Sequence, residues 1–349
     1  MKRVSVRGLT ILGIVFVVIA LLSLAGLEFF KDVTAWQAAI CGIIGGSCLV
    51  YAFARRSGRA GGEGRRAAPP AGDVEVDPGV QQALEAFAEE TRMPVTRLTA
   101  TPGSAGPFSS KLGGVVYNPP GFAWPVGGDG EPLVALAQLN FAELPPLEGF
   151  PAKGILQFFI GGDESPDSYG ADLGNPLDQA WFRVVYHQDV GEETNPPPAA
   201  GLADAERELP LSEELVLEGV PGAMAMPIED WRFEGEFWAS LDRKLKAGAI
   251  TVSDESAERA AERCLEWEDY GLFDSTDAEG HHLGGYARFV QEDPRLDNPD
   301  LSGHTAVLLQ IGSDDHVSWG DVGVGVFLIE PDRLRRGDFS NVAYYWDCS

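Results

Sequence analysis

Ile160-Gly161-Gly162-Asp163-Glu164, running on to Ser168-Tyr169-Gly170-Ala171-Asp172-Leu173-Gly174, decides the reading of the fold, because a second stretch repeats its plan. That stretch is Ile311-Gly312-Ser313-Asp314-Asp315, running on to Ser318-Trp319-Gly320-Asp321-Val322-Gly323. Each copy follows an apolar run that holds a glutamine, Gln157 or Gln310, and each precedes another apolar run. Two copies of strand, acidic turn, aromatic-Gly, Asp, strand imply a duplicated β unit with halves related by an approximate twofold. Turn chemistry accounts for most of these residues: Gly and Asp end strands, and the aromatic plugs a core. The functional alternative sets both loops at one cleft mouth. There Asp163, Tyr169, Asp172, Asp314, Trp319 and Asp321 are the ligand-binding candidates, with paired carboxylates to hold a cation or hydrogen-bond a ligand.

Outward from these loops lie short β-branched or aromatic runs bounded by Gly, Pro, Asp or Asn. They predict strands at Gly114–Tyr117, Leu133–Leu139, Gly154–Ile160, Phe182–His187, Ala306–Ile311 and Val322–Ile329. Helices are expected from Asp77-Pro78, at Trp231–Lys246 and at Asp254–Asp269. Strands, then helices, then strands give an α+β class rather than a doubly wound parallel sheet. Residues 190–230, with Pro196-Pro197-Pro198, read as a surface excursion.

The 26 basic and 53 acidic residues leave a net charge of −27, which excludes counterion release on nucleic acid. Charge is uneven. Residues 1–72 hold nine Lys/Arg against three Asp/Glu, leaving 17 against 50 for the remainder. Within that basic part, residues 8–27 and 33–54 carry no charge, and each is long enough to cross a hydrocarbon layer of about 30 Å. The short turn Glu28-Phe29-Phe30-Lys31-Asp32 joins them. The expectation is a transmembrane hairpin over 1–54, a Gly/Pro/Arg linker over 55–79, and an acidic β-rich domain over 80–349. Arginines 55, 56, 59, 65 and 66, with Lys2, Arg3 and Arg7, place both termini on the cytoplasmic side of a bacterial inner membrane. A signal peptide ending at Ser23-x-Ala25 is the rival for the first segment. Ala38, Gly42 and Gly46 fall on one face, suited to packing within the hairpin or to a homo-oligomer. The four cysteines show no C-x-x-C spacing and read as free thiols.

Phosphate-loop, serine-hydrolase and zincin signatures are absent. His281, His282, His304 and His316 stand near Asp293, Asp314, Asp315 and Asp321, but none is spaced as a helical ligand pair. No metal or cofactor is assigned. Among Trp124, Tyr169, Trp181, Trp319 and Trp346 the default is core packing. Trp124 is the exception, because Gly121 and Pro125 surround it.

Ser110-Lys111-Leu112-Gly113-Gly114, Gly121-Phe122-Ala123-Trp124-Pro125 and Ala137-Gln138-Leu139-Asn140 resemble the opening of the YwqG-like family, a bacterial family of unknown function. Gly154–Ile160, His282-Leu283-Gly284-Gly285-Tyr286, Leu308–Ile311, Trp319-Gly320-Asp321 and Trp346-Asp347-Cys348 continue the pattern from about residue 108 to 349. The resemblance implies an α+β, internally duplicated fold and brings no established catalytic residue. The sequence thus points to a membrane-anchored binding or interaction module for a protein or small ligand. A metal-dependent hydrolase using Asp314, Asp321 and a histidine is one alternative, and a structural anchor is the other.

Overall fold

The computed structural model describes residues 77–161, 167–198, 209–252 and 278–349. Ten strands form one sheet: β1 (Met93–Pro102), β2 (Lys111–Leu112), β3 (Val134–Asn140), β4 (Ile155–Ile160), β5 (Phe182–His187), β6 (Leu215–Met224), β7 (His281–Gly284), β8 (Ala306–Gly312), β9 (Val324–Ile329) and β10 (Val342–Asp347). Their order is β10-β9-β8-β7-β1-β6-β2-β3-β4-β5, antiparallel throughout. The sheet curls like a barrel, so that its two ends share one core. Phe158 of β4 meets Phe327 of β9 at 4.8 Å between ring centroids, and Phe182 of β5 meets Tyr344 of β10 at 5.3 Å. Helix α1 (Pro78–Glu90) is capped by Asp77, whose carboxylate accepts from the N–H groups of Gly79 and Val80. Its Phe87 packs edge-on against Phe233 and Phe237 of α2 (Phe233–Lys246). A short α3 (Pro331–Arg336) joins β9 to β10.

These observations correct the expected class. The described chain is a barrel-like sheet with few helices, not α+β. No helix of the described residues is long and apolar enough to cross a membrane. The expected spans at 8–27 and 33–54, the Ala38-Gly42-Gly46 face, linker residues up to 76 and the helix at 254–269 lie outside the described residues. The two-pass inner-membrane placement with cytoplasmic termini therefore has no described helix to carry it and is withdrawn. Residues 190–230 are not simply an excursion, since they contain β6, a central strand. Gly114–Tyr117 is not a strand, because Gly113 and Gly114 turn the chain at φ 65° and 68°.

The duplication also has a different register from the expected one. The two Ile-Gly loops follow β4 and β8, which are not equivalent positions. The strand order instead reads the same when each strand is exchanged with the one five later. Lys111 pairs with Gln138 as His282 pairs with Gln310, and a bulge two residues before each glutamine interrupts β3 and β8 alike. Leu112-Gly113-Gly114 and Leu283-Gly284-Gly285 both end in two left-handed glycines. The axis of this twofold runs through the Thr99–Glu218 pair of β1 and β6, and these two strands are exchanged between the halves. Pro102 and Pro221 are equivalent under it. Each lies where its strand is paired on one side only, a position at which a sheet tolerates the missing N–H.

Equivalent positions have diverged chemically. The buried Lys111 ammonium donates to the Ala105 and Val115 carbonyls and to Glu214 Oε1, satisfying all three donors. Its counterpart His282 is fully buried and donates from Nδ1 to the Gly284 carbonyl, while Nε2 has no hydrogen bond of good geometry among the described residues. Burial, chiefly, pushes its pKa down to about 4. The folded state therefore binds fewer protons than the unfolded chain below pH 6.5, and stability falls as the pH drops from there toward 4. Urea midpoints from pH 7 to 4.5 should show His282→Gln losing about 2 kcal/mol less than wild type over that range. Equal slopes would refute the assignment.

Candidate functional site

Three buried or half-buried polar side chains form a directed chain across β3, β4 and β5. Gln138 Oε1 accepts from the Tyr117 N–H at 2.8 Å, and its Nε2 donates to the Pro107 and Ser109 carbonyls. Gln157 Nε2 donates to Gln138 Oε1 and to the Tyr117 carbonyl, which uses both of its amide hydrogens. Only Gln157 Oε1 then faces His187 Nε2, at 2.9 Å, so Nε2 must carry the proton. Nδ1 of His187 is left as a lone pair, with no partner among the described residues and not buried. Burial lowers the imidazole pKa, which keeps the ring neutral near pH 7. The backbone around Tyr117 thus fixes which His187 nitrogen can accept.

Aromatic side chains frame this acceptor. Tyr117 and Phe122 meet the His187 ring edge-on at 5.2 and 5.0 Å. Trp124 packs edge-on against Phe159 at 5.1 Å and anchors its indole N–H on the Leu133 carbonyl, remaining half-buried. Residues 188–198 strap past the site. The Gly191 N–H donates to Tyr117 Oη, the Asn118 N–H to Thr194 Oγ1, and Asn118 Nδ2 to the Pro196 carbonyl.

The second half shows what this face looks like when closed. Gln310 reproduces Gln138, accepting from the Arg288 N–H and donating to the Ala278 and Gly280 carbonyls. In place of His187 stands Asp347, whose carboxylate accepts from the N–H groups of Val290 and Gln291 and is buried. Those two residues correspond to Pro119 and Pro120, which have no N–H to give. A carboxylate at 187 would find no donors there. The outer face of the second half is sealed by Ala287, Leu301, Val307 and Leu328, with Phe289 and Val290 packed on them. On the first half Val116, Leu133, Ala135 and Phe159 lie beneath Phe122, Trp124 and Val185.

Of the ligand-binding candidates read from sequence, only Trp124 belongs to this face among the described residues. Tyr169 and Trp319 do come together, at 5.4 Å, but inside the core, where Tyr169 also meets Trp346 at 4.8 Å. Tyr169 holds a left-handed backbone, φ 48°, with its carbonyl accepting from Tyr344 Oη. Asp172 closes a turn through the N–H groups of Gly174 and Asn175. Asp314 accepts from the N–H groups of His316 and Val317 and from His281 Nε2, while His281 Nδ1 accepts from the Gly312 N–H. Asp321 is exposed, and Asp163 lies outside the described residues. No group of three or more His, Cys, Asp or Glu side chains able to hold a metal ion occurs among the described residues. His187, Gln138, Gln157 and Phe122 were not read as site residues. The available signal was a glutamine at the centre of each apolar strand, a buried polar group that must find partners.

Residues 110–348 match the model of a domain of unknown function, DUF1963. The chain belongs to this family. No curated protein matches it. The matched span of the DUF1963 domain begins at Ser110, beside the first Leu-Gly-Gly, and ends at Cys348, so it takes in Gln138, Gln157 and Gln310 but not β1.

Proposed function

We propose that this DUF1963 domain is a binding module, with the aromatic and imidazole face of its first half as the recognition surface for a small ligand or a protein side chain. The observation carrying this reading is the contrast between the halves. At equivalent positions on β10 and β5, one half holds a buried carboxylate bonded to its own backbone, with Val326 where Gln157 stands, and the other holds an imidazole that Gln157 orients and whose acceptor nitrogen is unused. A ligand with an O–H or N–H donor on an apolar body fits that acceptor and the rings beside it. The finer likeness to the YwqG-like group belongs to the same proposal, since Gly121-Phe122-Ala123-Trp124-Pro125 is part of the pattern that carries it.

Phenol tests the reading, with anisole as the ligand that has lost its donor. In NMR titrations of the full-length protein, phenol should shift the His187 imidazole and Trp124 indole resonances, and anisole should bind at least fivefold more weakly. His187→Phe, which keeps a ring there but has no acceptor, should abolish the difference. Phenol shifts scattered over the surface, or none at these two residues, would end the proposal.

A further inference from the structure

Arg183 lies on β5 with Val185 and His187 on the same outer face, by the two-residue period of a strand. It is half-buried and pairs across the sheet with Phe159, the residue on which Trp124 packs. Its guanidinium makes no ion pair or hydrogen bond among the described residues. The buried and half-buried cations elsewhere do otherwise: Lys111 is held by Glu214, Arg232 by Asp230, and Arg295 by Asp293. In a chain with twice as many acidic as basic residues, a half-buried arginine without an acid is the exception. A desolvated charge without a partner is costly, and an incoming anion would relieve that cost. The planar fork of a guanidinium matches a carboxylate.

We infer that the recognition surface takes a small organic carboxylate, its anion on Arg183 and its O–H or N–H donor on Nδ1 of His187. The inference rests on the reading of this face given above and adds the ligand's charge and orientation. About 13 Å of strand separates the two residues at ~3.3 Å per residue, a span that a long guanidinium side chain shortens. Beyond His187 the strap carries Asp189, Glu192 and Glu193, all exposed, with Asp189 engaged by Lys153. These acids disfavour a carboxylate at the His187 end, leaving one orientation. The second half offers no copy of the site, because Ala343, Tyr345 and Asp347 stand where Arg183, Val185 and His187 stand.

4-Hydroxyphenylacetate and 4-hydroxyphenylacetamide have the same shape, with an anionic carboxylate in one and a neutral amide in the other, and make the test. The acid should bind full-length protein at least tenfold more tightly than the amide at low salt, and the advantage should shrink as salt is added. Arg183→Gln should erase it while phenol and the amide bind as before. Should that variant fail to fold, Arg183→Lys keeps the charge without the fork and should weaken the acid several-fold, sparing the amide. If acid and amide bind wild type equally while phenol still binds, the carboxylate inference falls and the recognition surface stands. An advantage that survives Arg183→Gln puts the anion elsewhere and also overturns the inference. If neither compound binds and phenol does not, both readings fall together.

Discussion

Gln138→Leu is expected to cost about 4 kcal/mol of folding stability, although leucine nearly matches the glutamine in size. The side chain is fully buried and makes four hydrogen bonds. Its loss strands the Tyr117 N–H, the Pro107 and Ser109 carbonyls and one hydrogen of the Gln157 amide, at roughly 1–3 kcal/mol for each buried group left unpaired. Gln310→Leu strands three groups in the same way and should cost about 3 kcal/mol. Urea midpoints at unchanged m-value measure both. A loss below about 1 kcal/mol for Gln138→Leu would mean that water reaches the network, contrary to the burial of its members. The same variant should leave the proton order of the site intact: the Tyr117 carbonyl still accepts from Gln157 Nε2, so the nitrogen shifts of His187 should still report a proton held on Nε2.

That both glutamines are structural pivots was half visible in the sequence. Gln157 and Gln310 marked the two compared runs, but the residue equivalent to Gln310 is Gln138, one strand earlier than Gln157. Loop similarity misled because Gly, Asp and an aromatic satisfy turn and plug requirements wherever a strand ends, so two unrelated turns converge on one pattern. The informative repeat was Leu-Gly-Gly, at 112–114 and 283–285, where two successive left-handed residues exclude nearly every other side chain. Strands with uninterrupted apolar runs were readable, Phe182–His187 to the residue. β1 and β6 were not. Pro94, Pro102, Pro221, Gly219 and Gly222 break the strand pattern, and it takes the sheet order to show that the prolines lie where only one neighbour pairs. The site escaped for a related reason. His187 and Arg183 alternate with buried Phe182 and Val184 on an ordinary half-buried strand, and what distinguishes them is a missing partner, which sequence does not display.

Trp319→Ala should be the other severe substitution, at about 4 kcal/mol, as for a large core aromatic truncated to a methyl group. Trp319 is fully buried, and Gly325 gives it its space: a Cβ at 325 would lie 2.5 to 2.9 Å from the indole ring atoms. In the first half the equivalent of Gly325 is Leu156, whose own side chain fills the core. The two halves therefore solve one volume requirement differently, by a leucine on the strand or by a glycine with a tryptophan laid over it from the loop. Gly325→Leu alone should overpack the site by at least about 2 kcal/mol. Joined with Trp319→Ala it should recover part of both losses, a coupling of more than about 1 kcal/mol in a double-mutant cycle. Purely additive losses would show that the glycine serves the backbone rather than the indole. Trp319→Phe separates packing from hydrogen bonding, because the indole N–H has no partner among the described residues. It should cost only about 2 kcal/mol, since the lost volume is partly offset by removing an orphaned donor. A loss as large as that of Trp319→Ala would assign the N–H a bond the geometry does not contain.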